Sequence, residues 1–447
     1  MESQQQDLTP AQKFVERVKK WKFPEGVEFA SPAVEQAYQR RVQMFIDAMT
    51  LKKPERIPVC FSSGFFPCGY AGVTPKDVMY DYEKLGYALK KFHVDFQPDN
   101  LAGSAIYGSG KTLELLDYKL YRWPGHGVPP TEPYQCVEGE YMRADEYESL
   151  INDPSDFFLR TYLPRVFGTY GPLRALEPFT DILEFPSAGL SALAFGMPQM
   201  QQALKRLMEA GEAAIEWIQA CRSIDTATKS TLGLPGWIGG FAKAPFDMVG
   251  DTLRGTRSVM LDKFRQPQKL LAAMERLVPL AIDTGVRAAK HSGIPTVFMP
   301  LHKGADSFMS RKDFSTFYWP TLKAVILGLI KEGIIVQLFA EGGYNQRLDI
   351  VTDPDIPAGK TVWMFDQTEL REVKKRFTGW ACFGGNVPSS LLVAGTTAQV
   401  QAHVKSLIDD VGQDGGYILS TGAVVDDAIP ANLHAMIDTG KEYGVYR

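Results

Sequence analysis

The sequence contains little cysteine and little histidine, and it lacks a long apolar run. Its 447 residues include five cysteines and six histidines. The cysteines are widely separated and form no CxxC pair, which argues against a disulfide framework and against a zinc ribbon. No apolar stretch approaches the roughly 20 residues that a membrane-spanning helix needs, so no membrane contact is expected.

Concentrated basic charge is also missing. The formal net charge is −4, and the lysines and arginines are scattered along the chain. A nucleic-acid-binding protein should show a clustered basic face, so no nucleic-acid partner is expected. The polar N-terminal residues lack the charged-then-apolar pattern of a secretory signal. Together with the unpaired cysteines, this predicts a cytoplasmic protein.

Residues 1–50 are predicted to form a helical extension. Ser31 is a candidate N-cap, and Pro32 stands at the first helical position, where proline is favoured. We expect this extension to pack outside the main fold as a lid or cover. Residues 51–447 are then predicted to form a single domain.

The rest of the chain alternates short apolar runs with amphipathic helical stretches, a pattern typical of an α/β fold with a parallel sheet. Eight such runs predict closure into a (β/α)₈, or TIM, barrel. Residues 101–165 are predicted to form an inserted hairpin region, and 166–235 to contain an outer helix. The runs are RIPVCFSSG (56–64), VDFQPDN (94–100), GWIGGFAKAP (236–245), PTVFMPLHKG (295–304), IIVQLFAEGG (334–343), KTVWMFDQT (360–368), GWACFGGNVP (379–388) and GGYILSTGA (415–423).

Residues just past the barrel strands should meet at one face, where barrel enzymes place their active sites. Each polar residue there also has a structural explanation as a helix cap or turn residue, and that alternative stays open from the sequence. The positions are Ser62, Ser63, Asp99, Asn100, Lys243, His302, Lys303, Glu341, Asp366, Gln367, Asn386, Ser420 and Thr421.

Glu341 is the candidate catalytic acid. It follows an apolar strand, and a partly apolar barrel mouth would raise the pKa of its carboxyl group, which suits a general acid or a metal ligand. His302 and Asp366 are candidates for tuning it, and His302 is also a candidate metal ligand with Glu341. The candidate substrate-binding residues are Lys243, Lys303, Phe65, Tyr344, Gln367 and Asn386.

Several segments of the last third of the chain resemble motifs of the uroporphyrinogen decarboxylase superfamily. They are MSRKDFSTFYWPTLKAVI (309–326), VQLFAEG (336–342), GNVPSSLLVAGTTAQV (385–400) and ILSTGAVVDDAIPANLHAMIDTGKEYG (418–444). The resemblance implies a TIM barrel, and homodimers are common among its members. The superfamily includes porphyrinogen decarboxylases and methyltransferases that exchange methyl groups with a corrinoid protein or a thiol.

Two departures from the family patterns narrow the range of functions that the resemblance implies. The decarboxylases carry an arginine-rich motif after the first strand, whereas SSGFFPCGY (62–70) contains no arginine to hold an acidic tetrapyrrole. The zinc ligands of the thiol-activating methyltransferases correspond to Phe339, Glu341 and Ala423, two of which offer no ligand atom. A zinc site of that kind is therefore not expected, and a different zinc site that uses Glu341 with His302 or Asp366 stays open from the sequence.

The resemblance then implies a methyltransferase of the cobalamin-dependent type. It would move a methyl group from a small donor, such as a methoxyaromatic compound in an O-demethylation, to a corrinoid. The chain has no DxHxxG corrinoid-binding signature, so a separate corrinoid protein would be its partner. Two alternatives stay open from the sequence. One is a decarboxylase acting on a tetrapyrrole or a smaller acid, and the other is a non-catalytic barrel that binds a small molecule.

Overall fold

The computed structural model describes residues 8–178, 180 and 184–446. Its main sheet contains five parallel strands, which follow three short strands in the chain. The short strands are β1 (Tyr121–Pro124), β2 (Gly127–Val128) and β3 (Gln135–Cys136). The main sheet has the order β4 (Thr296–Leu301), β5 (Ile335–Ala340), β6 (Thr361–Phe365), β7 (Cys382–Val387) and β8 (Tyr417–Thr421).

Three further extended segments complete a ring of eight around this sheet. The segment near Val59 pairs in parallel with β8, and the segment near Phe241 pairs in parallel with β4. Between them, the Asp99 amide donates to the Val59 carbonyl at 2.9 Å, and the Leu101 amide donates to the Pro235 carbonyl at 2.8 Å. The predicted TIM barrel is therefore confirmed.

Helices connect the barrel strands on the outside. The first three segments are separated by Phe66–Ala71, Pro75–Tyr80 and Tyr82–Phe96, and then by an insertion that contains Gly110–Leu116, Tyr147–Asn152, Leu163–Val166, Leu193–Gly196 and Pro198–Leu232. The later crossovers contain Thr256–Arg265, Pro267–Ser292, Trp319–Lys331, Leu348–Val351, Leu370–Phe377, Ser389–Ala394 and Thr397–Leu407, and Pro430–Tyr443 follows β8. None of the helices among the described residues is long and apolar enough to cross a membrane.

The second barrel segment lies later in the chain than predicted. The preceding helix extends to Phe96 and ends at Gln97, which has a left-handed backbone with φ 47°. Asp99 is fully buried and its carboxylate binds the Arg56 guanidinium at 2.6 Å. Asn100 accepts from the Phe61 amide at 2.9 Å. Both were predicted at the barrel mouth. Asp99 instead lies at the opposite end, where Arg41 of the N-terminal extension is 3.8 Å from its carboxylate, and the Asn100 side chain is bound to the backbone of Phe61.

The insertion between the second and third segments contains both predicted features. β1 pairs antiparallel with β3 and in parallel with β2, so the predicted hairpin region is a small three-stranded sheet. The predicted outer helix is confirmed and spans Pro198–Leu232. These elements place the small sheet in the connection that leaves the second barrel segment.

The two N-terminal helices, Pro10–Lys22 and Pro32–Met49, cover the bottom of the barrel. The Ser31 hydroxyl accepts from the Val34 amide at 3.3 Å, which confirms the predicted N-cap. Their buried side chains pack against residues that begin the barrel strands, including Ile335 and Cys382. The helices therefore cover the end of the barrel opposite the strand ends that carry His302 and Glu341.

Replacing Tyr38 by Phe should weaken this cover. The Tyr38 hydroxyl is buried and donates to the Trp21 carbonyl at 2.9 Å, which ties the two N-terminal helices together. Losing the donor leaves a buried carbonyl without this partner, and we expect the free energy of unfolding to fall by about 1–3 kcal/mol. Urea denaturation measures the change. Tyr87→Phe, at a side chain that is 56% exposed, is the control, and equal effects of both variants would contradict the prediction.

Candidate active site

The register of the parallel strands brings together three side chains predicted at the mouth. β4, β5 and β6 are paired up to their last residues, so the residues that follow them are neighbours. His302 follows β4, and its Nε2 atom lies 3.7 Å from Oε1 of Glu341, which follows β5. Asp366 follows β6 and accepts from the Gly342 amide at 3.0 Å. The structure thus places His302, Glu341 and Asp366 at one end of the barrel.

Asp251 joins this group from the connection after the third barrel segment. Its carboxylate contacts His302 Nδ1 at 2.6 Å, Lys243 Nζ at 2.7 Å and Lys303 Nζ at 2.9 Å. The side chain of Asp251 is only 13% exposed. One largely buried carboxylate therefore holds three cationic or potentially cationic groups, and it fixes the ring of His302 beside Glu341.

Asp247 holds the backbone of the same region. It is fully buried and accepts from the amides of His302 and Lys303, each at 3.1 Å. The Tyr318 hydroxyl donates to it at 2.7 Å. Burial raises the pKa of Asp247, as does the nearby charge of Asp251, whereas the Tyr318 hydrogen bond lowers it. These contacts fix the end of β4 and thus the position of His302.

The sequence analysis did not identify Asp247, Asp251 or Tyr318. Asp247 and Asp251 are four positions apart in PFDMVGD, directly after a predicted strand. In the structure they lie on successive turns, Pro245–Asp247 and the π-helical turn Met248–Leu253. Two carboxylates at this spacing lie on one helical face, and this is the signal that would have found them. Tyr318 lies in a helical segment and offered no comparable signal.

The electrostatics of the cluster raise the pKa of both His302 and Glu341. Burial alone would lower the pKa of His302, but the hydrogen bond and charge of Asp251 and the charge of Glu341 raise it above its ordinary value. Burial raises the pKa of Glu341, the charges of Asp251 and Asp366 raise it further, and His302 opposes the shift. The pKa of Asp251 lies well below its usual range, because the hydrogen bond with His302 and the charge of Lys243 outweigh its burial.

This arrangement can donate a proton at the barrel mouth. Glu341 is 43% exposed and His302 is 35% exposed, so both side chains reach solvent from the mouth. A carboxyl group with a raised pKa beside an imidazole whose other nitrogen is held by a carboxylate is suited to general acid catalysis. The two groups are also close enough to exchange a proton with a shared substrate atom or through one water molecule.

The remaining predicted substrate-binding residues lie in different environments. Lys243 and Lys303 belong to the cluster, but Asp251 binds the ammonium groups of both. Phe65 is 7% exposed, and its amide donates to Asp426 at 2.8 Å near the ends of the first segment and β8. Gln367 is exposed beside Asp366.

Two of the predicted substrate-binding side chains are hydrogen-bonded within the protein. Tyr344 is fully buried, and its hydroxyl donates to the Leu301 carbonyl at 3.2 Å. The Asn386 amide donates to the backbone carbonyls of Asp366 and Thr368, at 3.1 and 2.9 Å. Tyr344 therefore packs behind the site, and its phenol ring is not presented to a substrate. The amide nitrogen of Asn386 holds the loop after β6 and is not presented to a substrate either.

The donor atoms do not fit a zinc site of the kind that the family resemblance raised. Phe339 is a buried side chain stacked on Phe298, and neither it nor Ala423 has a ligand atom. Glu341 and His302 form a pair, in which His302 Nδ1 contacts Asp251 and Nε2 faces Glu341. Within residues 8–178, 180 and 184–446, no group of three His, Cys, Asp or Glu side chains could hold a metal ion.

The sequence model of the uroporphyrinogen decarboxylase (URO-D) family matches residues 197–443, which is more than half of the chain. The chain belongs to this family. The match includes Lys243, Asp247, Asp251, His302 and Glu341, so the whole cluster lies in the family region, and membership supports an enzyme. No curated protein matches the chain.

Among solved structures, the chain is similar to a methyltransferase from Methanosarcina mazei. The similarity covers 91% of this chain and 98% of that one, with a TM-score of 0.58 and 13% sequence identity. At this identity the likeness shows the fold. It extends beyond the family match to the N-terminal part of the chain.

Proposed function

We propose that this protein is a methyltransferase that moves a methyl group from a small donor to a corrinoid on a partner protein. The observation that carries the proposal is the pair of Glu341 and His302, 3.7 Å apart at the barrel mouth, with Asp251 behind it. Breaking the bond between a methyl group and its oxygen, nitrogen or sulfur atom requires a better leaving group. Protonation of that atom provides one.

In this proposal Glu341 is the acid. Its proton goes to the atom that loses the methyl group, and that atom keeps the bonding electron pair. His302, held by Asp251, supports the protonated state by exchanging protons with Glu341, and Asp366 raises the pKa of Glu341 through its charge. The remaining task of the barrel is to orient the donor so that its methyl group faces outward.

The open mouth fits an acceptor that approaches from outside. The side chains of Glu341 and His302 are each more than a third exposed, so a docked partner could reach a donor bound beside them. When docked, the reduced corrinoid would supply the nucleophile for the methyl group. A methoxyaromatic donor is the preferred candidate, because aromatic side chains surround the mouth near Phe65.

The cations of the cluster argue against a tetrapyrrole decarboxylase. Both lysines at the mouth are bound to Asp251, and the cluster contains four carboxylates, those of Asp247, Asp251, Glu341 and Asp366. A substrate with several carboxylates needs unpaired cationic partners. The site offers such a substrate little attraction.

The test is to mix the purified protein with reduced cobalamin and a panel of methyl donors while the absorption of the cobalt is recorded. The panel contains methanol, methylamine, dimethyl sulfide and 2-methoxyphenol. We expect a protein-dependent loss of the reduced-cobalt absorption with at least one donor, together with release of the demethylated product. No spectral change with any donor, with either free cobalamin or a corrinoid protein, would overturn the proposal.

A further inference from the structure

We propose that Phe65, Tyr121 and Tyr134 form an aromatic wall that selects an uncharged aromatic methyl ether as the methyl donor. The inference rests on the proposed function and adds the residues that select the methoxyaromatic donor and the requirement that this donor is uncharged. The three rings are in contact. The centroids of Phe65 and Tyr134 are 5.8 Å apart, as are those of Tyr121 and Tyr134, and both pairs meet edge to face.

The small inserted sheet supplies two of these rings from one face. Tyr121 on β1 lies directly opposite Cys136 on β3 in the antiparallel pair, so their side chains point to the same face. Tyr134 is two residues before Cys136, and residues two apart on an extended chain also share a face. The sheet therefore presents Tyr121, Tyr134 and Cys136 together.

The inserted sheet lies beside the candidate active site. Glu138, two residues after Cys136, accepts a hydrogen bond from the Thr256 amide at 2.5 Å, and Lys303 Nζ donates to the Thr256 hydroxyl at 2.9 Å. Partial burial raises the pKa of Cys136, the charge of Asp251 raises it further, and the charge of Lys243 lowers it. The charge of Asp251 also contributes to the raised pKa of Tyr121, after burial and the neighbouring Cys136 and Tyr134. The contact through Thr256 and Lys303, which itself binds Asp251 at 2.9 Å, places the inserted sheet next to the charged cluster.

At its other end, the wall reaches the loop after β8. The amide of Phe65 donates to Asp426 at 2.8 Å, and the Phe65 ring also meets Tyr107, with centroids 5.3 Å apart. Tyr107 is buried and its hydroxyl donates to the Gly64 carbonyl at 3.0 Å. Phe65 is therefore held rigidly, whereas the Tyr134 side chain is 46% exposed and retains free surface for a ligand.

The chemistry of the two sides of the mouth defines the donor. Aromatic rings that meet edge to face or offset stack favourably with a flat aromatic ligand. A negatively charged ligand would find the carboxylates of Asp251 and Glu341, while Lys243 and Lys303 are already bound to Asp251. The site therefore favours a neutral ring over a benzoate.

The reaction of such a donor balances without a further reagent. The bond between the methyl carbon and the ether oxygen breaks, and its electron pair stays on the oxygen. That oxygen takes the proton of Glu341 and leaves as a phenol, while the methyl group passes to the nucleophile on the partner.

Alkylation of Cys136 tests the wall without any methyl transfer. Cys136 is exposed, whereas the other four cysteines are buried, so iodoacetamide should label Cys136 first. We expect 2-methoxyphenol to slow the labelling several-fold, as measured by mass spectrometry. Methanol and 4-methoxybenzoate at the same concentration should not. Equal labelling rates with and without 2-methoxyphenol, or equal protection by 4-methoxybenzoate, would overturn the inference.

Variants of Tyr134 provide the second test. Tyr134→Ala should weaken the calorimetric Kd for 2-methoxyphenol by about three- to tenfold, the loss expected for one aromatic contact. It should raise KM with little change in kcat, because ring binding is equal in the ground and transition states. Tyr134→Phe keeps the ring and should bind 2-methoxyphenol normally. Tyr87→Ala, at an exposed tyrosine of the helix Tyr82–Phe96, is the matched control. Normal binding by Tyr134→Ala would overturn the inference.

The two proposals can fail separately. Protection of Cys136 by 2-methoxyphenol without methyl transfer from any donor would support the aromatic wall and overturn the proposed function. Methyl transfer from methanol, with no binding of 2-methoxyphenol, would leave the proposed function and remove the wall.

Discussion

Replacing Glu341 by Gln is expected to lower kcat for methyl transfer by about 10²–10⁴-fold, the usual contribution of a general acid. Glutamine keeps the size of the side chain and its place beside His302 but cannot release a proton. Stopped-flow recording of the cobalt absorption with the best donor of the panel measures the rate. Glu209→Gln on the outer helix, where the side chain is 58% exposed, is the matched control and should react at the normal rate. Unchanged turnover in Glu341→Gln would remove the acid assignment.

The pH dependence of the methyl-transfer rate of the wild-type protein should also show that Glu341 is the acid. Because burial and neighbouring carboxylates raise the pKa of Glu341, its proton persists to a higher pH than that of an ordinary glutamate. The rate should therefore fall as the pH rises through this raised pKa. Asp366→Asn removes one of the charges that raise it, and the falling limb should move to lower pH. In Glu341→Gln the limb should be absent from the residual activity.

The barrel could be predicted because its strands are buried on both faces. Such strands read as nearly continuous apolar runs, and β5, β6 and β8 are buried at every residue. The second segment was misplaced for a physical reason. Val94 and Phe96 have strand-like character, but they complete the helix Tyr82–Phe96, and the extended chain begins only after the left-handed turn at Gln97. Local pattern does not separate the end of a helix from the start of a strand.

The site could be predicted only where side chains follow strands directly. The prediction found His302, Glu341 and Asp366 because parallel strands in register end together. The ends of these strands can be read from the ends of the apolar runs in the sequence. Asp247 and Asp251 are on a helical connection, and their contacts with His302 depend on how that connection folds back over β4. Tyr121 and Tyr134 are in the insertion, and their approach to Phe65 depends on contacts between distant residues that no local pattern encodes.

Asp251→Asn should have the largest effect on stability among the substitutions at the mouth. Asp251 is 13% exposed, and its charge is shared by Lys243, Lys303 and His302. Removing one partner of a largely buried ionic group leaves the others without compensation, at a cost of about 3–5 kcal/mol. Urea denaturation measures this loss. Asp283→Asn, whose side chain is 62% exposed in a helical ion pair, should change the stability by less than about 0.5 kcal/mol.

The pH dependence of this loss follows from two shifts of opposite direction. The lowered pKa of Asp251 gives stability that is present above its unfolded value of about 4 and is lost as the pH falls. The raised pKa of His302 gives stability that is present below its unfolded value of about 6.5 and is lost as the pH rises through the folded value. The difference between wild type and Asp251→Asn should therefore be largest between about pH 4 and 6.5.

The same variant tests whether Asp251 keeps His302 protonated. Without its carboxylate, burial should lower the pKa of His302, and the NMR titration of the His302 ring, assigned with His302→Gln, should move to lower pH. A neutral His302 has no extra proton to return to Glu341. The value of kcat should therefore fall at neutral pH even where the variant is fully folded. A normal His302 titration together with wild-type stability would show that Asp251 does not hold this cluster, and the acid pair would need another support.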